Sequence, residues 1–128
     1  MSTLTKVLER NVAEIEKNAD MKEGRFRLGH HLMPPVGWLN DPNGLCWYKG
    51  KYHVFFQYAP FDVEGGLKFW GHYTSVDLVD WKYEGTALYP DSPYDCHGVY
   101  SGSALVEDEK MHLFFTGNVK IDGDYDYI

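Results

Sequence analysis

The sequence predicts an all-β fold preceded by one short α-helix, and three observations predict it. Strand-like aromatic runs joined by glycine turns fill most of the chain after residue 38. Helical periodicity is confined to residues 3–18, and a hairpin-like segment recurs at an offset of 59 residues. Aromatics make up 16% of the 128 residues, with 10 Tyr, 7 Phe and 4 Trp. That composition suits pleated, half-buried surfaces and opposes disorder. A chain of this length is enough for one modest domain with its own core.

Charge and targeting narrow the class of partner. The formal net charge is -7, the pI is near 5.2, and the 12 Lys and Arg are scattered. Neither nucleic acid nor an anionic membrane is therefore an expected partner. No apolar run approaches the ~18–20 residues that span a bilayer. Met1-Ser2-Thr3 opens the chain without the apolar stretch of a secretory signal. The expectation is a cytoplasmic protein with Cys46 and Cys96 as free thiols.

From Thr3 to about Asn18, the apolar residues Leu4, Val7, Leu8, Val12 and Ile15 recur at helical spacing among charges of both signs. This predicts an amphipathic helix docked on its own domain, with residues 1–22 as a leading segment and 23–128 as the β domain. Glu23-Gly24-Arg25 reads as a loop. His30 and His31 precede Leu32-Met33-Pro34-Pro35, an extended approach that proline keeps out of helix. Adjacent histidines on an extended chain point to opposite faces. The six histidines show no zinc spacing, so neither metal nor cofactor is expected.

The stretch Trp38-Leu39-Asn40-Asp41-Pro42-Asn43-Gly44 sets one carboxylate among turn-forming residues. Pro42 biases Asp41 toward extended backbone, and Asn43-Gly44 is a turn dipeptide. The expectation is an acid projecting from the head of a strand, although a plain surface turn would have the same local chemistry. Leu45-Cys46-Trp47-Tyr48 and Lys51–Tyr58, joined at Lys49-Gly50, read as a β-hairpin. Gly65-Gly66 breaks the next loop. Phe69–Ser75 is a further strand, and a shorter one opens at Asp80-Trp81.

Residues 44–58 and 103–117 align without gaps, with Lys51, His53, Phe55 and Phe56 matching Lys110, His112, Phe114 and Phe115. A period near 60 with four strand-like segments per unit fits a β-propeller blade, with a β-sandwich carrying a duplicated hairpin as the alternative. In a propeller the innermost strands converge on the central channel. The repeat sets Asp41 opposite Tyr100, each just before the same strand of successive blades.

Trp38–Gly44 closely resembles the Trp-Met-Asn-Asp-Pro-Asn-Gly signature of glycoside hydrolase family 32, the invertases and sucrose-6-phosphate hydrolases. The resemblance continues through Tyr52–Tyr58, Phe69–Ser75 and His97–Ala104 in the family's order, over about residues 30 to 118. It implies the first two or so blades of a five-bladed β-propeller. It also implies a retaining β-fructofuranosidase with Asp41 as nucleophile, acting on the terminal fructosyl unit of sucrose or sucrose 6-phosphate. Trp38, Asn40, Gln57 and Ser101 match positions lining the fructose pocket, and Trp70 and Tyr100 look like further wall. Amides and a hydroxyl suit sugar hydroxyls, and tryptophan offers a flat apolar face. Ordinary strand packing is the competing role for Trp70 and Tyr100.

Two departures accompany the resemblance. Many members carry another Trp where this chain has Glu64-Gly65-Gly66, so the preference among sucrose, its phosphate and fructans stays open. The family's Arg-Asp-Pro and Glu-Cys motifs, which supply a transition-state aspartate and the acid/base glutamate, are absent. The chain is accordingly expected to be the amino-terminal part of a larger enzyme, inactive alone. Should it turn over by itself, Asp95 or Glu84 would have to serve as the acid. A non-catalytic sugar-binding propeller, a propeller for protein contacts and a fructosyltransferase are the competing functions. The oligomeric state is not legible.

Overall fold

The structure is a computed structural model that describes residues 2–19, 26–28 and 31–121. The expected loop at 23–25, His30 and the stretch 122–128 lie outside the described residues. The elements are α1 (Thr3–Asn18), β1 (Trp38–Tyr48), β2 (Lys51–Ala59), β3 (Phe69–Ser75), β4 (Trp81–Leu88), β5 (Val99–Glu107) and β6 (Lys110–Gly117). All strand pairs are antiparallel. Strands β1-β2-β3-β4 form one meander, and β5-β6 form a second sheet. The two hairpins anticipated from the repeat thus sit in separate sheets, each turning at the expected residues.

The alternation of strand side chains divides the core in two. Phe56 and Tyr58 of β2 and Phe69 and Tyr73 of β3 share one face with Val12 of α1. Phe55 and Trp70, on the other face, pack against Val99 of β5. Strands β2 and β3 are therefore covered on both sides, and Val54–Ala59 is a continuous buried run. Phe56 pairs in register with Gly71, and a Cβ on Gly71 would lie 2.2 Å from the Phe56 ring. A side chain there would displace the ring.

The helix starts at Ser2, whose Oγ accepts the Thr5 backbone N–H at 3.1 Å. Its last turn carries the anchor. Tyr58 and Tyr83 both donate their hydroxyls to Glu16 Oε1, at 3.0 and 2.7 Å. Burial first, and then the charge of Glu16, push both phenols above the ordinary tyrosine pKa. They remain donors at any physiological pH.

The stretch 38–44 departs from the sequence expectation. It belongs to β1, because β2 is long enough to pair Trp38, Leu39 and Asn40 with Ala59, Tyr58 and Gln57. The turn-forming residues are absorbed as irregularities between Asn40 and Pro42 and between Asn43 and Cys46. Asp41 is the extra residue of the first, with φ +24° instead of the extended backbone that Pro42 favours. Aspartate tolerates this region better than most residues. Pro42 has no N–H to lose from the ladder. The second irregularity contains Gly44 at φ +57°, where a Cβ would lie 2.7 Å from the Phe55 ring.

The second irregularity also corrects the repeat. Strand β5 has one shift, between Tyr100 and Gly102, which makes Ser101 its extra residue. Counted from the hairpin turns, Tyr48 matches Glu107, at an offset of 59. The added residue near Gly44 raises the offset to 60 for Asn43 and everything before it. Asp41 therefore corresponds to Ser101, and Tyr100 corresponds to Asn40.

His53 and His72 stack with ring centroids 5.1 Å apart, and His53 Nδ1 lies 2.9 Å from His72 Nε2. His53 Nε2 faces the Tyr48 carbonyl at 3.2 Å. A carbonyl only accepts, so His53 carries its proton on Nε2 and takes a bond at Nδ1 from His72 Nε2–H. Burial, then the neighbouring His53, lowers the His72 pKa from 6.5 to about 4. The unfolded chain then binds this proton before the folded one does. The stabilisation is complete above pH ~6.5 and declines as pH falls toward about 4. Denaturant midpoints measured across that range should decrease with acidity in the wild type, and less steeply in His72→Gln.

Candidate functional site

The site is built on the two extra residues. A bulge turns its side chain out of the regular alternation, and here the two turned side chains meet across the gap between the sheets. Ser101 Oγ donates to Asp41 Oδ2 at 3.2 Å. Below the carboxylate, Asn43 Nδ2 donates to the Asp41 carbonyl at 2.9 Å and holds the bulge shut. Asp41 itself is exposed while Asn43 is buried. The acid therefore stands on a fixed base and faces an open cleft of about 640 Å³ between residues 41–45 and 101–104.

The other expected residues extend this edge. Trp38 Nε1 donates to Asn40 Oδ1 at 3.0 Å, and Asn40 Nδ2 points to Gln57 Oε1 at 3.5 Å. The relay orients both amides. Gln57 is 4% exposed, whereas the Trp38 indole is 39% exposed and free to present a face. Tyr100 is half-buried, with its ring beside Gly98.

Trp70 is placed differently from the expected pocket wall. It is 0% exposed, packs against Phe55 and Phe115, and donates its indole N–H to the Tyr100 carbonyl at 3.1 Å. Its size and apolarity are used between the sheets, where it fixes the residue before Ser101.

Among the described residues, Asp41 is the only carboxylate lining this cleft. Asp95 accepts the Ser92 N–H within a turn at 2.8 Å, and Glu84 is occupied by Thr74 and Lys82. A smaller cavity of about 290 Å³, lined in part by Arg27, His31, Tyr73 and Trp81, contains none of the expected site residues. No group of three or more His, Cys, Asp or Glu side chains suited to a metal ion occurs among the described residues.

Sequence reasoning missed two residues. Asn43 was legible only as a turn former, although its amide clamps the nucleophile candidate's backbone. Lys68 gave no local signal, because its place depends on how the sheets meet. Its carbonyl accepts the Val99 N–H at 2.9 Å, which ties the loop before β3 to the start of β5. Burial lowers the Lys68 pKa, Asp62 and Asp41 act to raise it, and Lys120 acts to lower it.

Residues 31–127 match the model of the glycosyl hydrolases family 32 N-terminal domain. The chain is 52% identical over 108 residues to the sucrose-6-phosphate hydrolase of Bacillus subtilis, covering 84% of this chain and 22% of that protein. It is similar to the structure of sucrose-6-phosphate hydrolase from Lactobacillus gasseri, with a TM-score of 0.77, 40% identity, and coverage of 88% of this chain and 23% of that one. It is also similar to a mutant of the Bombyx mori family 32 β-fructofuranosidase in complex with sucrose. There the TM-score is 0.79 with 38% identity, over 96% of this chain and 25% of the other. The chain thus spans about a fifth to a quarter of the length of these relatives. Its structural neighbours are five-bladed β-propellers, and the chain covers the first part of that ring.

Proposed function

We propose, because this chain belongs to glycoside hydrolase family 32, that the full-length protein removes the terminal β-D-fructofuranosyl unit of sucrose or sucrose 6-phosphate with retention of configuration. The observation that carries the reading is the Asp41 carboxylate, fixed on a bulge and turned into a cleft across from Ser101. Names among the relatives support the substrate class.

In the proposed chemistry an Asp41 carboxylate oxygen attacks the anomeric carbon of the fructosyl unit. The bond to the leaving sugar's oxygen breaks, and that oxygen takes a proton from a carboxylic acid. In a retaining pair the two carboxyl groups stand ~5–5.5 Å apart. That acid comes from outside the segments 41–45 and 101–104, where Asp41 is alone. Water then attacks the covalent ester, gives its proton to the same group, and restores the original anomeric configuration.

The remaining residues bind and orient. Asn40 and Gln57, aligned through Trp38, offer amide groups to sugar hydroxyls, and Ser101 adds a hydroxyl. The exposed Trp38 face and the Tyr100 ring form apolar walls. Trp70 supports Tyr100 from beneath without touching sugar. No helix among the described residues is long and apolar enough to cross a membrane. The free thiols of Cys46 and Cys96 suit the reducing cytoplasm in which we place the protein.

The test is to incubate the full-length protein with each sugar and follow the first product by NMR. β-Fructofuranose should appear before mutarotation. Release of the α-anomer first would refute retention. Transfer of the fructosyl unit mainly to a second sugar would make the protein a transferase, and binding without cleavage would make it a lectin-like propeller.

A further inference from the structure

Asp41 carries its carboxylate on a backbone that two constraints oppose. Its φ of +24° falls short of the left-handed well at about +50° to +70°. Leu78, Asp108 and Glu109 sit within that well, at +66°, +50° and +57°. Pro42 adds the second constraint, because a residue before proline is pressed toward extended backbone. A conformation of this kind persists only where its surroundings hold it.

The means of holding it are few. Pro42 has no N–H, so the carbonyl is the one hydrogen-bonding group of the Asp41–Pro42 peptide. Asn43 Nδ2 donates to that carbonyl at 2.9 Å. A carbonyl only accepts, which settles the orientation of the amide, with its nitrogen on Asp41. Asn43 lies opposite Phe55 in the ladder, and therefore on the face where Phe55 packs between the sheets. It is 6% exposed and borders the Asp41 cleft.

The other end of the Asn43 amide makes the choice of residue informative. Its Oδ1 is buried without a hydrogen-bond partner, and a buried acceptor left unpaired opposes folding. A small apolar residue would avoid that cost. What asparagine adds is the donor to Asp41. The Ser101 bond to Asp41 Oδ2 is exposed and can be exchanged for a sugar hydroxyl, whereas the Asn43 bond is partly buried and stays through the reaction.

We infer that Asn43 is a positioning residue for the nucleophile: its amide holds the Asp41–Pro42 peptide in the strained orientation that aims the carboxylate at the anomeric carbon. This rests on the fructosidase reading above. Asn43 acts through the Asp41 backbone and not on the sugar. Without its donor, Asp41 relaxes toward the extended backbone that Pro42 favours, and the carboxylate swings away from Ser101.

The experiment compares the full-length wild type, Asn43→Ala and Asn43→Asp on sucrose and sucrose 6-phosphate across pH. Asn43→Ala should lower kcat by about 10- to 100-fold, the scale of a reacting group misplaced by about 1 Å. KM should stay within about threefold, because Asn40, Gln57 and Ser101 keep their places. Asn43→Asp has nearly the same shape, but its new carboxyl donates to the Asp41 carbonyl only while protonated. Burial and the Asp41 carboxylate make it hold that proton to higher pH than usual. Asp41 is the only ionisable residue among those lining the cleft.

Relative to wild type, kcat of Asn43→Asp should thus come within a few-fold at acid pH and fall by about tenfold or more as pH rises. Asn43→Ala should be low throughout. A purely structural role would move the denaturation midpoint of both variants and give no recovery in acid. The inference is overturned if Asn43→Ala keeps kcat within about threefold of wild type, or if the relative kcat of Asn43→Asp does not change with pH. The second criterion decides alone should Asn43→Ala fail to fold. Either result in an active wild type leaves the fructosidase reading standing. Wild type that releases fructose from neither sugar removes both.

Discussion

Asp41→Asn in the full-length protein is expected to lower kcat for fructose release by about 10⁴-fold or more, with KM changed only a few-fold. Asparagine has nearly the same shape, and its side-chain oxygen can still accept the Ser101 hydroxyl at Asp41's position. The Asn43 clamp on the backbone carbonyl is untouched. What is lost is the anionic oxygen that forms the ester with the anomeric carbon. Geometry and sugar contacts therefore persist while covalent catalysis disappears. Stability should change by less than ~1 kcal/mol, since the exposed carboxylate has little desolvation to recover. Steady-state kinetics beside a denaturation curve separate these effects. A variant that retains a tenth of wild-type kcat would show that Asp41 is not the nucleophile.

Trp70→Ala is expected to destabilise the fold by about 3–5 kcal/mol, far more than Asp41→Asn. The ring is fully buried and lies between the two sheets. Its removal leaves a cavity bordered by Phe55, Phe115 and Val99, none of which can collapse without shifting a strand. It also removes the indole N–H that donates to the Tyr100 carbonyl, and the net loss of one such hydrogen bond costs about 0.5–1.5 kcal/mol. Trp70→Phe separates the two contributions, because it keeps most of the ring volume and removes the donor. Urea unfolding of the full-length protein should order the three as wild type, Phe, Ala. A loss below ~1 kcal/mol for Trp70→Ala would mean that the sheets are held together elsewhere.

Much of the fold was legible because its determinants are local. The apolar spacing of Leu4, Val7, Leu8, Val12 and Ile15 defines α1 without reference to the rest of the chain. The aromatic runs about Lys49-Gly50 and Asp108-Glu109 define the hairpins. The site was legible by motif: Asp41 and Ser101, 60 residues apart in sequence, do meet. What the sequence could not give was backbone phase. Nothing in Asn40–Cys46 distinguishes a turn from a strand with two irregularities until β2 supplies partners for Trp38–Asn40. That ambiguity misaligned the repeat by one residue and paired Asp41 with Tyr100. Trp70 illustrates a second limit, since a tryptophan against a sugar and one between sheets are the same letter. Lys68 illustrates a third, because its neighbours Asp41 and Lys120 are brought to it only by tertiary packing.

The second irregularity of β1, near Gly44, works as a phase adjuster between the hairpin turn and the cleft. Strand side chains alternate with a period of two residues, so each inserted residue exchanges inward for outward along everything beyond it. Deleting one residue from 44–45 would leave the Trp38–Asn43 string, the hairpin turn and the buried β2 intact. It would nonetheless advance the first half of β1 by one step against β2 and carry Asp41 out of line with Ser101. The number of residues separating Asp41 from Lys49-Gly50 is thus as much a part of the site as the carboxylate is. A relative with every motif letter conserved but that spacing shortened by one would keep the words of the site and lose its grammar.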